Sequence, residues 1–406
     1  MTLRLGLIGA GGIAATHIRA LTQVRGVEVA GIVSHTPPLV LAESIRERGL
    51  GQALVFETIE ELANAVDVVA ILSPNYARVE TVRALAHAVR EGAKIRAIAC
   101  EKPLARNLIE ADEVLAFAKE TAVQTIFLEN QLHMPGLRDG LACLSPSIAE
   151  SGPMTFTRSA EQHAGPHSPW FWDPVLQGGG VLSDMGCHAI ALAWYLLTPP
   201  SEPINQLRPV RVSAQVGLLK WGRPEWRKEL QTRFAVDLVS APVEDFATGL
   251  ITFRDSASGI ESLAQFNVSW INDRPGLRLI FEGLGPGYSI EMDNLRLPLD
   301  LYIGNGVVAA PHFAPLAVNE DDLYGYVDEW RDLVHSVETG TPPLADWSYG
   351  REIVYLTMAC YMAAERRKSI DLEDPATKTE LQTYIPLIQQ GKGSEVLYPS
   401  GTRPNG

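Results

Sequence analysis

Short apolar runs alternate with amphipathic stretches over roughly the first 125 residues. The apolar runs, each of strand length, cover residues 3–8, 27–33, 66–72, 95–100 and 124–128. Between them, apolar residues recur at three- and four-residue spacing over 14–24, 78–91 and 107–121, which predicts helices. This alternation predicts βαβ units and an N-terminal doubly wound parallel sheet, the α/β class.

The pattern changes after about residue 130, where Gly, Pro, Trp and His become frequent. A helical pattern follows over 183–197, and strand-like runs cover 210–219, 244–253, 262–271, 277–282 and 288–292, within a strand-rich region that reaches 308. Helical patterns return over 321–338 and 349–367. We therefore predict a first domain over 1–128, a C-terminal α+β domain with a large, open, mostly antiparallel sheet over 129–375, and an extended or mobile tail over 376–406.

Composition excludes several classes of protein. Hydrophobic residues make up 46% and charged residues 20% of the 406 residues, which is typical of a globular chain of two domains. The net charge of −14 disfavours nucleic acid as a partner. The four cysteines are widely spaced, without a disulfide or CxxC pattern. No apolar run approaches the ~18 residues of a membrane span, and the first strand begins at Leu3, so we expect a cytoplasmic protein without membrane contact.

A glycine motif follows the first predicted strand and opens the first predicted helix. It reads G-x-G-x-x-A, with Gly9, Gly11, Gly12, Ile13 and Ala14 as the residues expected to contact a ligand. Gly9 permits a tight turn, Gly11 permits close approach of a pyrophosphate, and Ala14 lets the helix pack on the strand. Phosphates would lie at the positive end of the helix. The motif predicts a Rossmann domain that binds NAD or NADP.

The end of the second predicted strand carries Ser34-His35-Thr36, where an NAD-specific domain usually has an Asp or Glu for the ribose hydroxyls. This tripeptide contains no carboxylate, which would repel a 2′-phosphate. The tripeptide therefore favours NADP over NAD. Ordinary turn residues are the alternative interpretation.

Two further motifs lie at the carboxyl ends of predicted parallel strands, where ligands of such sheets bind. Ser73-Pro74-Asn75 ends the fourth predicted strand and Glu101-Lys102-Pro103 ends the fifth, so Ser73, Pro74, Asn75, Glu101 and Lys102 are expected beside the cofactor. A glycine-rich segment, Gly178 to His188, comes later and contains Asp184 and His188. Because these two residues are four apart on a predicted helix, they would project from one face.

Together, the E-K-P tripeptide and the G-G-G-x-L-x-D-x-G-x-H segment resemble the glucose-fructose oxidoreductase, inositol dehydrogenase and MocA family. The resemblance implies an NAD(P)-dependent oxidoreductase acting on a hydroxyl carbon of a sugar or polyol, with Lys102, Asp184 and His188 as catalytic residues. It also implies a substrate-binding and oligomerisation domain over 129–375 and a homodimer or homotetramer. His188 would accept the hydroxyl proton, because its side chain has the unperturbed pKa nearest neutrality. Lys102 would stabilise developing alkoxide charge, and Asp184 would bind substrate or orient His188.

Two departures from the family pattern leave substrate identity open: Arg78 and Leu132 stand where the family commonly has His and Arg. Candidate substrate contacts besides the catalytic residues are Asn130, His163, His167, Trp170, Trp172 and Asp173. Aromatic faces flanked by donors and acceptors suit a sugar ring, although the tryptophans could equally pack in the core. Gly165 and Pro166 between the histidines argue against a metal site. The run Gly178–Gly180 is expected to be a flexible approach to the substrate.

Two other functions fit the same motifs. One is a redox-neutral enzyme that oxidises a glycoside transiently and returns the hydride to tightly held NAD. The other is a non-catalytic, cofactor-sensing regulator, which need not keep Lys102, Asp184 and His188. Catalysis requires that the Lys102 amine and the His188 imidazole converge over the nicotinamide ring.

Overall fold

The computed structural model describes residues 2–199, 202–203, 206–295, 297–303 and 324–398 of the chain. The strands, numbered along the chain, are β1 (Leu3–Ile8), β2 (Val27–Val33), β3 (Leu54–Val55), β4 (Val68–Ile71), β5 (Ala97–Glu101), β6 (Gln124–Leu128), β7 (Phe156–Gln162), β8 (Leu207–Gly217), β9 (Phe246–Asp255), β10 (Glu261–Ser269), β11 (Arg278–Gly285), β12 (Tyr288–Asp293), β13 (Leu297–Ile303) and β14 (Ile370–Asp371).

The α-helices are α1 (Gly12–Leu21), α2 (Leu39–Glu47), α3 (Ile59–Ala65), α4 (Arg78–Arg90), α5 (Leu108–Thr121), α6 (Pro135–Ser151), α7 (Pro174–Gln177), α8 (Cys187–Leu197), α9 (Pro224–Phe234), α10 (Tyr326–Thr339), α11 (Trp347–Arg366), α12 (Pro375–Leu381) and α13 (Gly393–Leu397). Short 3₁₀ turns cover Asn75–Ala77, Asn130–His133 and Pro169–Trp172, and a π-helical turn, Leu182–Gly186, runs directly into α8.

The first of two compact units contains a six-stranded sheet in the order β3-β2-β1-β4-β5-β6. All its pairs are parallel, which confirms the predicted doubly wound sheet. The predicted bounds of β1, β2 and β6 agree with the structure. The two-residue strand β3 was not predicted, because Leu54 and Val55 are exposed at the sheet edge and form no apolar run with a buried face.

Helix α10 belongs to this first unit, although the sequence assigns its residues to the domain over 129–375. Val327, Trp330, Leu333 and Val337 lie in the same hydrophobic core as the buried side chains of β1. Their three- and four-residue spacing produces one apolar face. Such a period predicts a helix, but it does not indicate which sheet the helix covers. Residues 321–323 of the predicted helix lie outside the described residues.

The second unit contains an eight-stranded sheet in the order β13-β12-β11-β7-β10-β9-β8-β14. Among the described strands, β7 and β10 form a parallel pair and the other pairs are antiparallel, which confirms the mostly antiparallel prediction. Strand β7 was missed because its buried positions are partly polar. Thr157 and Ser159 donate hydrogen bonds to the carbonyls of Ala193 and Ala189 in α8, at 2.9 and 2.5 Å. Residues 304–308 of the predicted strand-rich region lie outside the described residues.

The predicted extended or mobile tail is wrong for residues 376–398. Helices α12 and α13 lie there, and Leu381 and Ile388 are fully buried in the second unit. The two helices have only seven and five residues, which is too short for a helical period to stand out in the sequence. Residues 399–406 of the predicted tail lie outside the described residues.

One described segment, Pro174–Leu197, is long and apolar enough to cross a membrane by length and composition alone. Its most apolar stretch is 94% buried inside the fold. Burial of this extent is typical of a core helix, because an apolar helix surrounded by protein has no lipid-facing side.

Candidate functional site

The glycine loop between β1 and α1 lies at the carboxyl ends of the parallel strands. The Gly9 N–H donates to the Val33 carbonyl at 2.8 Å, which holds the loop beside the end of β2. Gly9 has a φ of +105°, and a Cβ there would lie 2.8 Å from the Ser73 nitrogen after β4. Only glycine satisfies both the positive φ and the close backbone approach.

Gly11 and Gly12 lie over open space at the start of α1. Apart from the flanking residues and the backbone of α1 itself, no described atom lies within 4 Å of the position that a Cβ would take at either residue. No described side chain caps the N-terminus of α1, where the first N–H groups of a helix lack partners within the helix. Ile13 is half-buried and Ala14 is fully buried against the sheet. This cradle fits the pyrophosphate of a dinucleotide, which needs backbone donors and close approach.

The tripeptide predicted to contact the adenosine ribose follows β2. Ser34 is half-buried, whereas His35 and Thr36 are exposed. The structure contains no further observation that separates NAD from NADP at this edge, so the NADP preference stays a prediction.

Arg78 joins the ends of β4 and β5. Its side chain is buried, and Nη2 donates to the Lys102 carbonyl at 2.9 Å. The Nε and Nη1 atoms have no hydrogen-bond partner among the described residues. Ser73, Pro74 and Asn75 precede Arg78 in the connection from β4 to α4, and Asn75 is buried. The departure from the family's His thus places a permanent cation against the backbone carbonyl of Lys102.

Glu101 ends β5 and belongs to a buried hydrogen-bond chain. The Trp330 Nε1–H donates to His17 Nδ1 at 3.0 Å, and His17 Nε2 lies 2.9 Å from Glu101 Oε1. Because an indole nitrogen is a donor only, His17 Nδ1 must accept, and Nε2 carries the hydrogen given to Glu101. Sequence reasoning missed His17 and Trp330, whose partners are 84 and 313 residues away along the chain.

Charges around Glu101 decide its ionisation. Burial alone would raise its pKa, but the hydrogen bond from His17 and the positive charges of Lys102 and Arg78 hold the pKa below its ordinary value. Glu101 is therefore a buried carboxylate at neutral pH. Lys102 is half-buried, and its peptide bond to Pro103 is cis.

A second buried acid, Glu329 on α10, has the opposite character. Neither carboxyl oxygen has a hydrogen-bond partner among the described residues. Burial raises the pKa of Glu329 well above its ordinary value, and the negative charges of Glu101, Glu129 and Asp332 raise it further. The first unit thus contains two buried acids whose pKa values are shifted in opposite directions, that of Glu101 downward and that of Glu329 upward.

In the second unit, the segment from Gly178 to His188 is fully buried. The expected flexible approach over Gly178–Gly180 is wrong, because the run is buried and the Gly180 N–H donates to the buried side chains of Glu244 and Tyr361. Asp184 lies in the π-helical turn and His188 in α8, with exposed fractions of 6% and 4%. π-Helical turns inside helices are frequent at functional sites. That His188 and Lys102 meet over a nicotinamide ring stays a prediction.

The other predicted substrate contacts occupy varied environments. Asn130, in the first unit, is buried and donates to the Tyr324 carbonyl at 2.7 Å. In the second unit, His163 is half-buried and its Nδ1 accepts from the Gly165 N–H at 2.9 Å, while His167 is exposed. Asp173 is exposed and accepts from the first N–H groups of α7, as a helix N-cap does.

The two candidate tryptophans differ in their packing. Trp170 is half-buried and stacks on Phe171, with ring centroids 3.8 Å apart. Trp172 is buried, and its ring centroid lies 5.2 and 4.9 Å from those of Trp221 and Trp270. Core packing therefore accounts for Trp172, whereas Trp170 keeps an accessible part. Among the described residues, no group of three or more His, Cys, Asp or Glu side chains could hold a metal ion.

Comparisons with known proteins agree with this architecture. Residues 3–128 match the family model described as "Oxidoreductase family, NAD-binding Rossmann fold", and residues 151–283 match the GFO/IDH/MocA C-terminal domain. A levoglucosan dehydrogenase solved in complex with NADH has a TM-score of 0.72 and 20% identity, covering 92% of this chain and 99% of that one.

Two curated relatives are named for activities on sugar derivatives. The chain is 27% identical over 201 residues to glucose-6-phosphate 3-dehydrogenase of Bacillus subtilis (strain 168), covering 48% of this chain and 53% of the relative. It is 29% identical over 206 residues to 1,5-anhydro-D-fructose reductase of Ensifer adhaerens, covering 50% and 59%. The chain thus spans little more than half the length of these relatives. From both matched domains and the shared fold, the chain belongs to the GFO/IDH/MocA oxidoreductase family.

Proposed function

We propose that this protein is an NAD(P)-dependent oxidoreductase that moves a hydride between the nicotinamide and a hydroxyl carbon of a sugar, polyol or sugar derivative. The observation that carries the proposal is the pairing of Lys102 with the buried carboxylate Glu101 at the sheet edge that also bears the open glycine loop. The positive charge of Lys102 is one of the causes that lower the pKa of Glu101, and a strand end on this edge faces a bound ligand.

The proposed roles follow from the chemistry of alcohol oxidation. A bound nicotinamide supplies the hydride acceptor or donor. His188 accepts the hydroxyl proton as hydride leaves the carbon, and Asp184 binds the substrate or orients His188. Lys102 stabilises the developing alkoxide charge, and Arg78 supports it by fixing the Lys102 carbonyl.

The binding of each ligand is proposed from the same residues. Gly9, Gly11 and the α1 N-terminus hold the pyrophosphate, and Ser34 and Thr36 accommodate a 2′-phosphate, so NADP is favoured over NAD. Asn130, His163, His167, Trp170 and Asp173 are the candidate contacts for the hydroxylated substrate besides the catalytic residues. The relatives' names, which cover sugar phosphates and anhydrosugars, support this substrate class.

The proposal includes a homodimer or homotetramer in the cytoplasm. Exposed apolar side chains, among them Leu250, Leu263, Leu284 and Tyr302, lie on strands β9, β10, β11 and β13 of the large sheet. An exposed apolar sheet face favours association with a second copy. Sedimentation of the purified protein measures its oligomeric state directly.

The test is a panel of sugars, polyols and their phosphates with NAD and NADP, read as absorbance of the reduced nicotinamide. We expect turnover with at least one class and a higher kcat/KM with NADP. His188→Ala should lower turnover by ~100- to 10,000-fold while cofactor binding stays nearly intact. Inactivity of the wild-type protein with every substrate and both cofactors would overturn the proposal, as would an equal loss of cofactor affinity in His188→Ala.

A further inference from the structure

Each glycine of the run 178–180 packs against a different residue of the second unit. A Cβ at Gly178 would lie 2.8 Å from the Arg106 Cβ, and one at Gly179 would lie 2.0 Å from the Tyr361 hydroxyl oxygen. A Cβ at Gly180 would lie 2.3 Å from the Glu244 carbonyl oxygen. The three glycines are therefore required by close packing against the protein itself.

Glu244 and Tyr361, here called the clamp, hold the run by hydrogen bonds. One carboxyl oxygen of Glu244, Oε1, accepts from the Gly180 N–H at 2.9 Å, the Leu182 N–H at 3.1 Å and the Tyr361 hydroxyl at 2.6 Å. The Gly180 N–H also donates to the Tyr361 hydroxyl oxygen at 3.2 Å, and the Val181 N–H donates to the Glu244 backbone carbonyl at 3.1 Å. Three successive N–H groups thus end on the clamp.

These N–H groups lie at the start of the helical segment that carries the candidate catalytic residues. The π-helical turn begins at Leu182, and the Asp184 N–H donates to the Gly180 carbonyl at 3.0 Å. The first N–H groups of a helix lack partners within the helix and need an outside acceptor. Glu244 supplies that acceptor from 62 and 64 residues away, so it fixes where the helical segment begins. Asp184 follows two residues later.

A buried acid is a costly way to cap a helix. Glu244 and Tyr361 are fully buried, and burial raises the pKa of Glu244 to about 7 against the opposing effect of its hydrogen bonds. Burying a polar group without full compensation costs free energy, and Glu244 Oε2 has no partner among the described residues. The arrangement is explained if accurate placement of the segment matters more than stability.

We propose that Glu244 and Tyr361 are positioning residues that fix the orientation of Asp184 and His188. This inference rests on the proposed function, in which those two side chains act on the substrate. Displacing a catalytic group by about 1 Å can cost about 100-fold in rate, so a helix start held at three N–H groups has a direct catalytic value.

Asp245 offers a matched control in the neighbouring position. It is also a buried carboxylate, and it accepts from the N–H groups of Leu219, Lys220 and Trp221 at 2.7 to 2.8 Å. None of these three residues belongs to the candidate site. Asp245→Asn therefore perturbs a buried carboxyl group that also accepts three backbone N–H groups, but in the turn before α9, which carries no candidate catalytic side chain.

The experiment compares Glu244→Ala, Glu244→Gln, Tyr361→Phe and Asp245→Asn in the full-length protein. We expect kcat to fall ~10- to 100-fold in Glu244→Ala and less in Tyr361→Phe, with NAD(P) affinity within about twofold of wild type. Glu244→Gln keeps an acceptor oxygen and should recover part of kcat. Asp245→Asn should lower stability but leave kcat within about twofold.

A second measurement does not depend on turnover. The NMR resonances of the His188 ring, assigned by their loss in His188→Ala, should shift in the clamp variants and stay in place in Asp245→Asn. Wild-type inactivity would end the proposed function, yet these resonances would still test the positioning. If Glu244→Ala does not fold, Tyr361→Phe and Glu244→Gln decide. Unchanged kcat and unchanged His188 resonances in those variants, or an equal kcat loss in Asp245→Asn, would overturn the inference.

Discussion

Glycine has opposite structural roles in the two glycine-rich segments of this chain. At Gly11 and Gly12 in the first unit, the missing side chains leave open space that no described atom fills. At Gly179 and Gly180 in the second unit, the missing side chains make room for Tyr361 and Glu244. The first segment is the proposed binding site of the pyrophosphate, whereas the second is packed against the clamp residues of the protein itself. A glycine motif alone does not distinguish these uses.

The two units also differ in the environment of a buried acid, Glu101 in the first and Glu244 in the second. Glu101 has cations and a donating imidazole around it, so its pKa is lowered, whereas Glu244 has only neutral donors, so burial raises its pKa to about 7. A buried carboxyl group is thus ionised where charge supports a neighbouring lysine, and is readily protonated where it only caps a helix.

The largest expected effect is that of filling the clamp. Gly179→Ala would place a Cβ on the Tyr361 hydroxyl at a φ of +149°, and we expect a loss of about 3 to 4 kcal/mol in the free energy of unfolding. Gly259→Ala is the matched control, because Gly259 has a positive φ of +74° but no described atom within 4 Å of its Cβ position. It should cost about 1 kcal/mol. Denaturant unfolding measures both variants. Equal losses of unfolding free energy in Gly179→Ala and Gly259→Ala would show that Gly179 is not tightly packed.

The next effect is a pH dependence that comes from Glu244. Its folded pKa of about 7 lies above the ordinary 4.5, so the contribution of Glu244 to stability is fully present below about pH 4.5 and is lost as pH rises through about 7. The difference in unfolding free energy between wild type and Glu244→Gln should change by about 3 kcal/mol over that window, in favour of the variant. Urea unfolding at several pH values measures this change. A pH-independent difference would mean that Glu244 ionises normally.

A smaller effect, with the opposite dependence on pH, is expected for the contribution of Glu101 to stability. Its pKa is lowered, so the carboxylate contributes stability above about pH 4.5 and loses this contribution as pH falls through the folded pKa. Glu101→Gln should lower the free energy of unfolding by about 2 kcal/mol at pH 7, because a charge-assisted hydrogen bond from His17 is weakened. The loss should shrink below pH 4.5. A loss that grows with acidity would contradict the assigned charge.

Much of the first unit could be predicted from the sequence, because its strands are continuous apolar runs and its helices have a clear period. The bounds of β1, β2 and β6 illustrate this, as does the dinucleotide motif. The position of α10 could not be predicted, since an apolar face identifies a helix and not its partner. Strand β7 escaped notice because Thr157 and Ser159 point polar groups into the interior, where α8 carbonyls accept their hydrogens.

The candidate site was only partly visible in the sequence. The motif residues Gly9, Lys102, Asp184 and His188 stand out by spacing and chemistry. The residues around these motifs do not stand out. His17 and Trp330 form the hydrogen-bond chain to Glu101 in the first unit, and Tyr361 bonds to Glu244 in the second, each across a long separation in the chain. Arg78 was noticed as a departure from the family, but its contact with the Lys102 carbonyl depends on two strands ending side by side.

The most direct test of the central contrast is Gly11→Ala. Gly11 has a φ of −77°, which alanine adopts freely, and no described atom lies within 4 Å of its Cβ position. A methyl group there should obstruct only a bound pyrophosphate. We predict that the dissociation constants for NAD and NADP, measured by titration calorimetry, rise about 10- to 100-fold, while the unfolding free energy stays within about 1 kcal/mol of wild type. Unchanged dinucleotide affinity in a folded Gly11→Ala protein would contradict the account.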